Sequence, residues 1–124
     1  MIYLDTHAVI FLYAGDLALF TNAGRRLIRS EQLIISPIVL LELEYLYEIK
    51  KLNALPSIIY QQLQKECHLK TCHAPFHEII ELAKTQCWTR DPFDRIIAAQ
   101  SLWGNHPLLT KDKKIIEHCS LAKW

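Results

Sequence analysis

Short apolar runs alternate along the chain with longer segments whose apolar residues recur at helical spacing. Ile2-Tyr3-Leu4 and Leu33-Ile34-Ile35 are compact β-prone runs, the first ending at Asp5 and the second at Ser36. Leu108-Leu109-Thr110 reads as a third strand, with His68–Cys72 and Ser120–Trp124 as short further ones. Helices are predicted over His7–Tyr13, Leu17–Arg29, Pro37–Lys51, Pro56–Cys67, Phe76–Thr85, Pro92–Trp103 and Lys113–His118. Asp5 or Thr6 caps the first helix and Gly15 closes it. Ser36 caps the third, with Pro37 at its first position. Strands that are apolar throughout, alternating with helices, predict a parallel sheet covered on both faces. In such folds sites gather at the carboxyl ends of the strands.

That expectation gives four scattered acids a common address. Asp5 directly follows the first strand, Asp112 lies just past Leu108-Leu109-Thr110, and Glu42 sits on the helix that Ser36 starts. Asp94 borders the sheet-facing side of its helix, one turn before Ile97 and Ala98 and two before Ser101. On a helical wheel Glu42 shares a face with Ile38, Tyr45, Leu46 and Ile49, which predicts a carboxylate on the buried side of an apolar helix. Each acid also has a structural explanation. Asp5 and Asp112 are good N-caps. In Arg90-Asp91-Pro92-Phe93-Asp94-Arg95, Asp91 suits an N-cap and Asp94 a capping-box acid. Glu42 can be ion-paired or reach a rim. Isolated carboxylates in apolar settings are costly unless compensated, and a cation is one way to do so. Clustered oxygen ligands are how proteins hold Mg²⁺ or Mn²⁺, and two such ions can hydrolyse a phosphodiester. Thr110 and Ser36 are placed to hydrogen-bond a ligating carboxylate and fix its rotamer, Ser36 near Glu42.

Size and charge bound the rest. A chain of 124 residues, 51% of them hydrophobic, is one domain, 1–124, with enough apolar surface for a core and for a partner face, the latter expected on Ala8–Tyr13 and Leu40–Tyr47. Its net charge of +1 gives no global basic field, so any nucleic-acid contact is local. Arg90, Arg95, Lys111 and Lys113 flank the acidic loops and are candidate contacts for a phosphate backbone, although ordinary surface charge explains them too. No single aromatic residue advertises base stacking. No run reaches the roughly 18 apolar residues of a membrane span, and Asp5 interrupts the apolar start before any secretory leader can form. Cys67, Cys72, Cys87 and Cys119 are then expected as reduced thiols in a cytoplasmic protein. Cys67, His68, Cys72, His73 and His77 are zinc-type ligands, but they lack a Cys-x₂-Cys pair and Pro75 disturbs their spacing. A phospho-acceptor receiver needs an adjacent acidic pair after the first strand, and Asp5 is followed by Thr6.

Taken together, Met-Ile-Tyr-Leu-Asp5-Thr6-His7, Ser36-Pro-Ile-Val-Leu-Leu-Glu42-Leu, Trp88-Thr-Arg-Asp91-Pro-Phe-Asp94-Arg-Ile-Ile-Ala-Ala-Gln and Leu108-Leu-Thr-Lys-Asp112 resemble the PIN-domain ribonucleases, above all the VapC toxins of type II toxin–antitoxin modules. The pieces run in family order over essentially the whole chain. The resemblance implies a three-layer α/β/α sandwich with a mostly parallel central sheet. It implies metal-dependent endoribonuclease activity, with Asp5, Glu42, Asp94 and Asp112 holding Mg²⁺ or Mn²⁺. Thr6, Ser36 and Thr110 are expected to support them. Asp94 matches the family acid better than Asp91, which is left as a cap, a supporting residue or an alternative ligand. The implied partners are an RNA substrate, a cognate antitoxin that carries any DNA contact, and a second copy of the chain. The alternative is a non-catalytic PIN-like module that binds RNA or protein.

Overall fold

A computed structural model describes residues 1–124. The elements are β1 (Ile2–Leu4), α1 (Thr6–Tyr13), α2 (Asn22–Ser30), β2 (Leu33–Ile35), α3 (Pro37–Glu48), α4 (Pro56–Cys67), β3 (Lys70–Thr71), α5 (Phe76–Lys84), α6 (Pro92–Gly104), β4 (Leu108–Leu109), α7 (Lys113–His118) and β5 (Ala122–Lys123). The strands form one sheet in the order β3-β2-β1-β4-β5, and every neighbouring pair is parallel. Successive side chains of a strand point to opposite faces. All three residues of β1 and all three of β2 are buried, so helices cover both faces of the sheet, which is the expected three-layer sandwich. The chain first builds outward from β1 through β2 to β3. It then returns to the other side of β1 for β4 and β5. The strand order therefore reverses between β1 and β4, and in open parallel sheets that point leaves a crevice at the carboxyl ends.

Local chemistry sets the boundaries. Proline occupies the first turn of α3, α4 and α6, and side chains of Asp5, Thr21, Ser36, Asp91 and Asp112 cap the helices that follow them. Gly15, at φ +71°, takes the left-handed conformation that ends the α1 segment. One predicted helix is in fact two pieces. Leu17–Leu19 is a single 3-10 turn, and the chain is extended at Phe20 and Thr21 before α2 begins. Phe20 is buried, and Thr21 Oγ1 accepts from Gly24 N at 3.1 Å, a cap that a continuous helix would not allow. α3 also stops at Glu48, short of the predicted Lys51, and Lys50 turns left-handed at φ 64°.

The buried seam of α3 differs from the one read off the wheel. Val39 and Leu43 are fully buried, whereas Tyr45 is 47% and Ile49 41% exposed. α3 is apolar nearly all round, so its pattern did not define one face. Glu42 lies on the margin of the seam and is partly buried. On α1, Ile10, Phe11, Leu12 and Tyr13 pack against the core and stay partly exposed. Of the two faces expected for a partner, that of α3 is the more open. No helix is long and apolar enough to cross a membrane, and all four cysteines are unpaired.

Candidate active site

Asp5 stands at the reversal of strand order. Its backbone continues β1 pairing, with N–H donating to Leu109 O at 3.2 Å, while its carbonyl accepts from Val9 N to start α1. Both side-chain oxygens are held as well. Oδ1 accepts from Ala8 N at 2.8 Å, and Oδ2 accepts from the hydroxyl of Thr110 at the end of β4. The Thr110 oxygen in turn accepts from Asp112 N at 3.1 Å. One buried threonine thus ties the ends of β1 and β4 to the start of α7. Asp5 serves both as a cap and as a wall of the crevice. Asp5, only 5% exposed, keeps its orientation because two hydrogen bonds fix its side chain and two more its backbone.

The other acids arrive from separate elements. The Thr6 hydroxyl donates to Glu42 Oε1 and so fixes the α3 carboxylate against the start of α1. The sequence assigned that supporting role to Ser36. Instead, Ser36 Oγ accepts from Ile38 N at 3.2 Å as a helix cap and faces a different, apolar groove. Asp91 Oδ1 accepts from Phe93 N and Asp94 N, and Asp112 Oδ1 accepts from Lys114 N and Ile115 N. Each of those caps leaves Oδ2 without a protein partner. Asp91 and Asp112 are exposed, so the apolar setting expected for Asp112 is not what surrounds it. Asp94 differs from all of them, because its partly buried carboxylate makes no hydrogen bond at all.

Asp5, Glu42, Asp91, Asp94 and Asp112 line a single cleft of about 320 Å³. Burial pushes the Asp94 carboxyl up to about 7, with Asp91, Asp112, Glu42 and Asp5 adding to the rise in that order. Burial also raises Glu42 and Asp5. The Thr6 hydroxyl opposes the rise at Glu42, and Thr110 and the Ala8 amide oppose it at Asp5. A set of hard oxygen donors whose charges destabilise one another fits a divalent cation. No three Asp, Glu, His or Cys side chains anywhere in the chain converge into a ligating group. The match to a cation is therefore one of donor type and charge, not of a closed cage.

The basic residues divide. Lys111 lines the cleft. Arg95 does not: its Nε donates to Thr89 O at 2.8 Å, and its stem lies along a shallow apolar surface with Ile80, Ala83 and Ile96. Thr89 Oγ1 accepts from Asp91 N, so Arg95 steadies the loop that presents Asp91. Arg90 and Lys113 are exposed outside the cleft lining. Phe11, which sequence reasoning passed over, lines it, as does His7, which the sequence offered as a helix-start residue able to touch substrate. Their spacing of four on α1 places them on one face, a weak signal in a helix that is otherwise apolar throughout.

Comparison with known proteins bears on the fold that carries this cleft. No curated protein matches the chain. Among solved structures, a chain in the crystal structure of VapBC2 from Rickettsia felis bound to a DNA fragment from their promoter shares the fold. The TM-score is 0.67 at 20% identity, over 100% of this chain and 99% of that one. The family profile described as PIN domain matches residues 2–120. The acids of this cleft accordingly stand on the scaffold of that family, and the chain belongs to the PIN-domain family.

Proposed function

We propose that the cleft is the site of a divalent-metal-dependent endoribonuclease that hydrolyses RNA phosphodiester bonds, and that the chain is the toxin of a type II toxin–antitoxin pair. The observation that carries this reading is the delivery of five carboxylates, from the ends of β1 and β4 and from α3 and α6, to one cleft at the switch point of the sheet. Asp5, Glu42, Asp94 and Asp112 would hold Mg²⁺ or Mn²⁺. Asp91, occupied on one oxygen by its helix cap, would assist or substitute. When bound, the ion supplies polarisation of the phosphate and acidification of a water. The chain's own residues do the rest. Thr110 and Thr6 keep Asp5 and Glu42 oriented, so little reorganisation is needed on binding. Asp94, with a carboxyl near neutrality and no bond to protein, is the acid most ready to exchange a proton for a cation. Lys111 supplies the one lysine ammonium at the cleft for the RNA backbone.

Partner binding enters the same proposal. Leu41 is 57% and Phe76 67% exposed at the rim of an apolar groove between α3, α5 and α6. Such a surface suits a second copy of the chain or a cognate antitoxin. The likeness in fold to a chain from VapBC2 supports the antitoxin, which would carry the DNA contact, and a cytoplasmic setting. Cleavage of structured and single-stranded RNAs tests the reading, run with Mg²⁺, Mn²⁺ or EDTA beside Asp5→Asn and Asp94→Asn proteins. Metal-dependent cleavage lost in both variants is expected. Cleavage that persists in EDTA or in either variant overturns it.

A further inference from the structure

An aromatic wall stands on one side of the acid cleft. His7 and Phe11 both line the cleft, and their ring centroids are 6.3 Å apart. Phe11 meets the Trp124 indole edge-to-face at 6.1 Å, and Trp124 lies against Phe20 at 4.6 Å with 32° between the planes. Phe20 is 2% exposed and anchors the cluster in the core. The members nearer the cleft are not closed off in the same way: Phe11 and Trp124 are partly buried and His7 is exposed. Trp124 is also fixed in place, because Thr21 donates its hydroxyl to the Trp124 carbonyl. Lys111 belongs to both features, lining the acid cleft with Nζ 6.0 Å from the Trp124 ring centre. That distance is the outer limit of a cation–π contact, so the ammonium can exchange the ring for a phosphate at little cost.

We propose that His7 and Phe11, backed by the Trp124 ring, form a stacking wall for one unpaired base of an RNA strand whose phosphate lies at the acid cleft, with Lys111 pairing with the adjoining backbone phosphate. The proposal rests on the nuclease reading of the cleft and adds a substrate requirement to it. Aromatic faces take bases of any identity. Bases inside an A-form duplex are already stacked and cannot reach such a wall, whereas bases in loops, bulges and single strands can be splayed onto it. The acids alone cannot make that distinction, since they would see only phosphate and cation. The wall therefore selects unpaired RNA, and it does so beside the reacting phosphate.

The test is fluorescence anisotropy of a short dye-labelled single strand of RNA, in Ca²⁺, beside the same strand carrying internal abasic sites and a duplex of equal length. Wild-type protein is expected to bind the base-bearing strand best. Phe11→Leu and Trp124→Leu, which keep apolar volume and remove the ring, are each expected to weaken that binding by about tenfold. They should leave abasic binding nearly unchanged. Lys111→Ala should weaken both strands alike. Should Phe11→Leu fail to fold, His7→Ala at an exposed position makes the same comparison. Equal losses on base-bearing and abasic strands, unchanged affinity in the ring variants, or no binding of RNA by wild-type protein overturns the wall. Failure of the nuclease reading looks different: base-dependent binding persists while wild-type protein with Mn²⁺ cleaves nothing.

Discussion

Replacing Asp94 by Asn should make the metal-free protein more stable while removing its activity. Asp94 accepts no hydrogen bond, so the amide sacrifices no cap and no partner. What it removes is a partly buried charge facing four other carboxylates. The Asp94 carboxyl is raised from 3.8 to about 7, by burial first and then by Asp91, Asp112, Glu42 and Asp5. A shift of roughly three units corresponds to about 4 kcal/mol at full strength. Asp94 is open enough to solvent that screening reduces this to about 1–2 kcal/mol. The sign follows from proton linkage. Between about pH 4 and pH 7 the folded protein keeps a proton that the unfolded chain has released, so stability contributed by Asp94 falls as pH rises through that window. Asp94→Asn should therefore match wild type near pH 4 and exceed it at pH 8 by about 4–8 °C in Tm for a domain of this size. Thermal melts in EDTA at the two pH values measure this directly. Adding Mn²⁺ at pH 8 should reverse the order, since a cation that binds only the folded state stabilises wild type more. An Asp94→Asn protein that is less stable than wild type at pH 8 in EDTA, or shifted equally at both pH values, refutes the reasoning.

The remaining predictions concern the supports of the cleft and the open groove. Thr110→Val removes the donor to Asp5 Oδ2 and the acceptor for Asp112 N. It should lower Mn²⁺ affinity about tenfold by calorimetry, cost about 1–2 kcal/mol in denaturant melts, and be largely rescued by Thr110→Ser. Arg95→Ala should leave the salt dependence of RNA binding unchanged, because its guanidinium serves the Thr89 carbonyl; Lys111→Ala should lower the log–log salt slope by about one. Leu41→Glu, at the rim of the exposed groove, should leave the melting temperature within a few degrees of wild type and shift any dimer to monomer in light scattering.

The fold was legible in the sequence because its three central strands, β1, β2 and β4, are short, wholly apolar and followed by clear helix caps. Asp5, Asp91 and Asp112 could be placed to within a residue, since a helix cap at a strand end has a fixed address. The same property kept the sequence ambiguous about them: a cap and a ligand are one carboxylate with two oxygens, and only the structure shows that Asp91 and Asp112 use just one for capping. Glu42 was placed in the right helix but on the wrong part of it, because α3 offers apolar residues around most of its circumference and Val39 and Leu43 take the core. Ser36 caps α3 as expected, but Thr6 rather than Ser36 meets Glu42, for a reason no pattern contains: Glu42 lies more than a turn and a half along α3 from Ser36, while α1 packs beside it and brings Thr6 into reach. The meeting of Phe11 with Trp124 likewise depends on folding that joins distant parts of the chain. Three-dimensional neighbours of that kind leave no trace in local spacing.

The central issue is whether the five carboxylates hold a cation, and anomalous X-ray scattering from crystals grown with Mn²⁺ addresses it most directly. An anomalous peak within coordinating distance of carboxylate oxygens of Asp5 and Asp94, with Glu42 or Asp112 also in reach, is the expected result. A well-ordered crystal with Mn²⁺ peaks only elsewhere, for instance at the surface histidines, would contradict it.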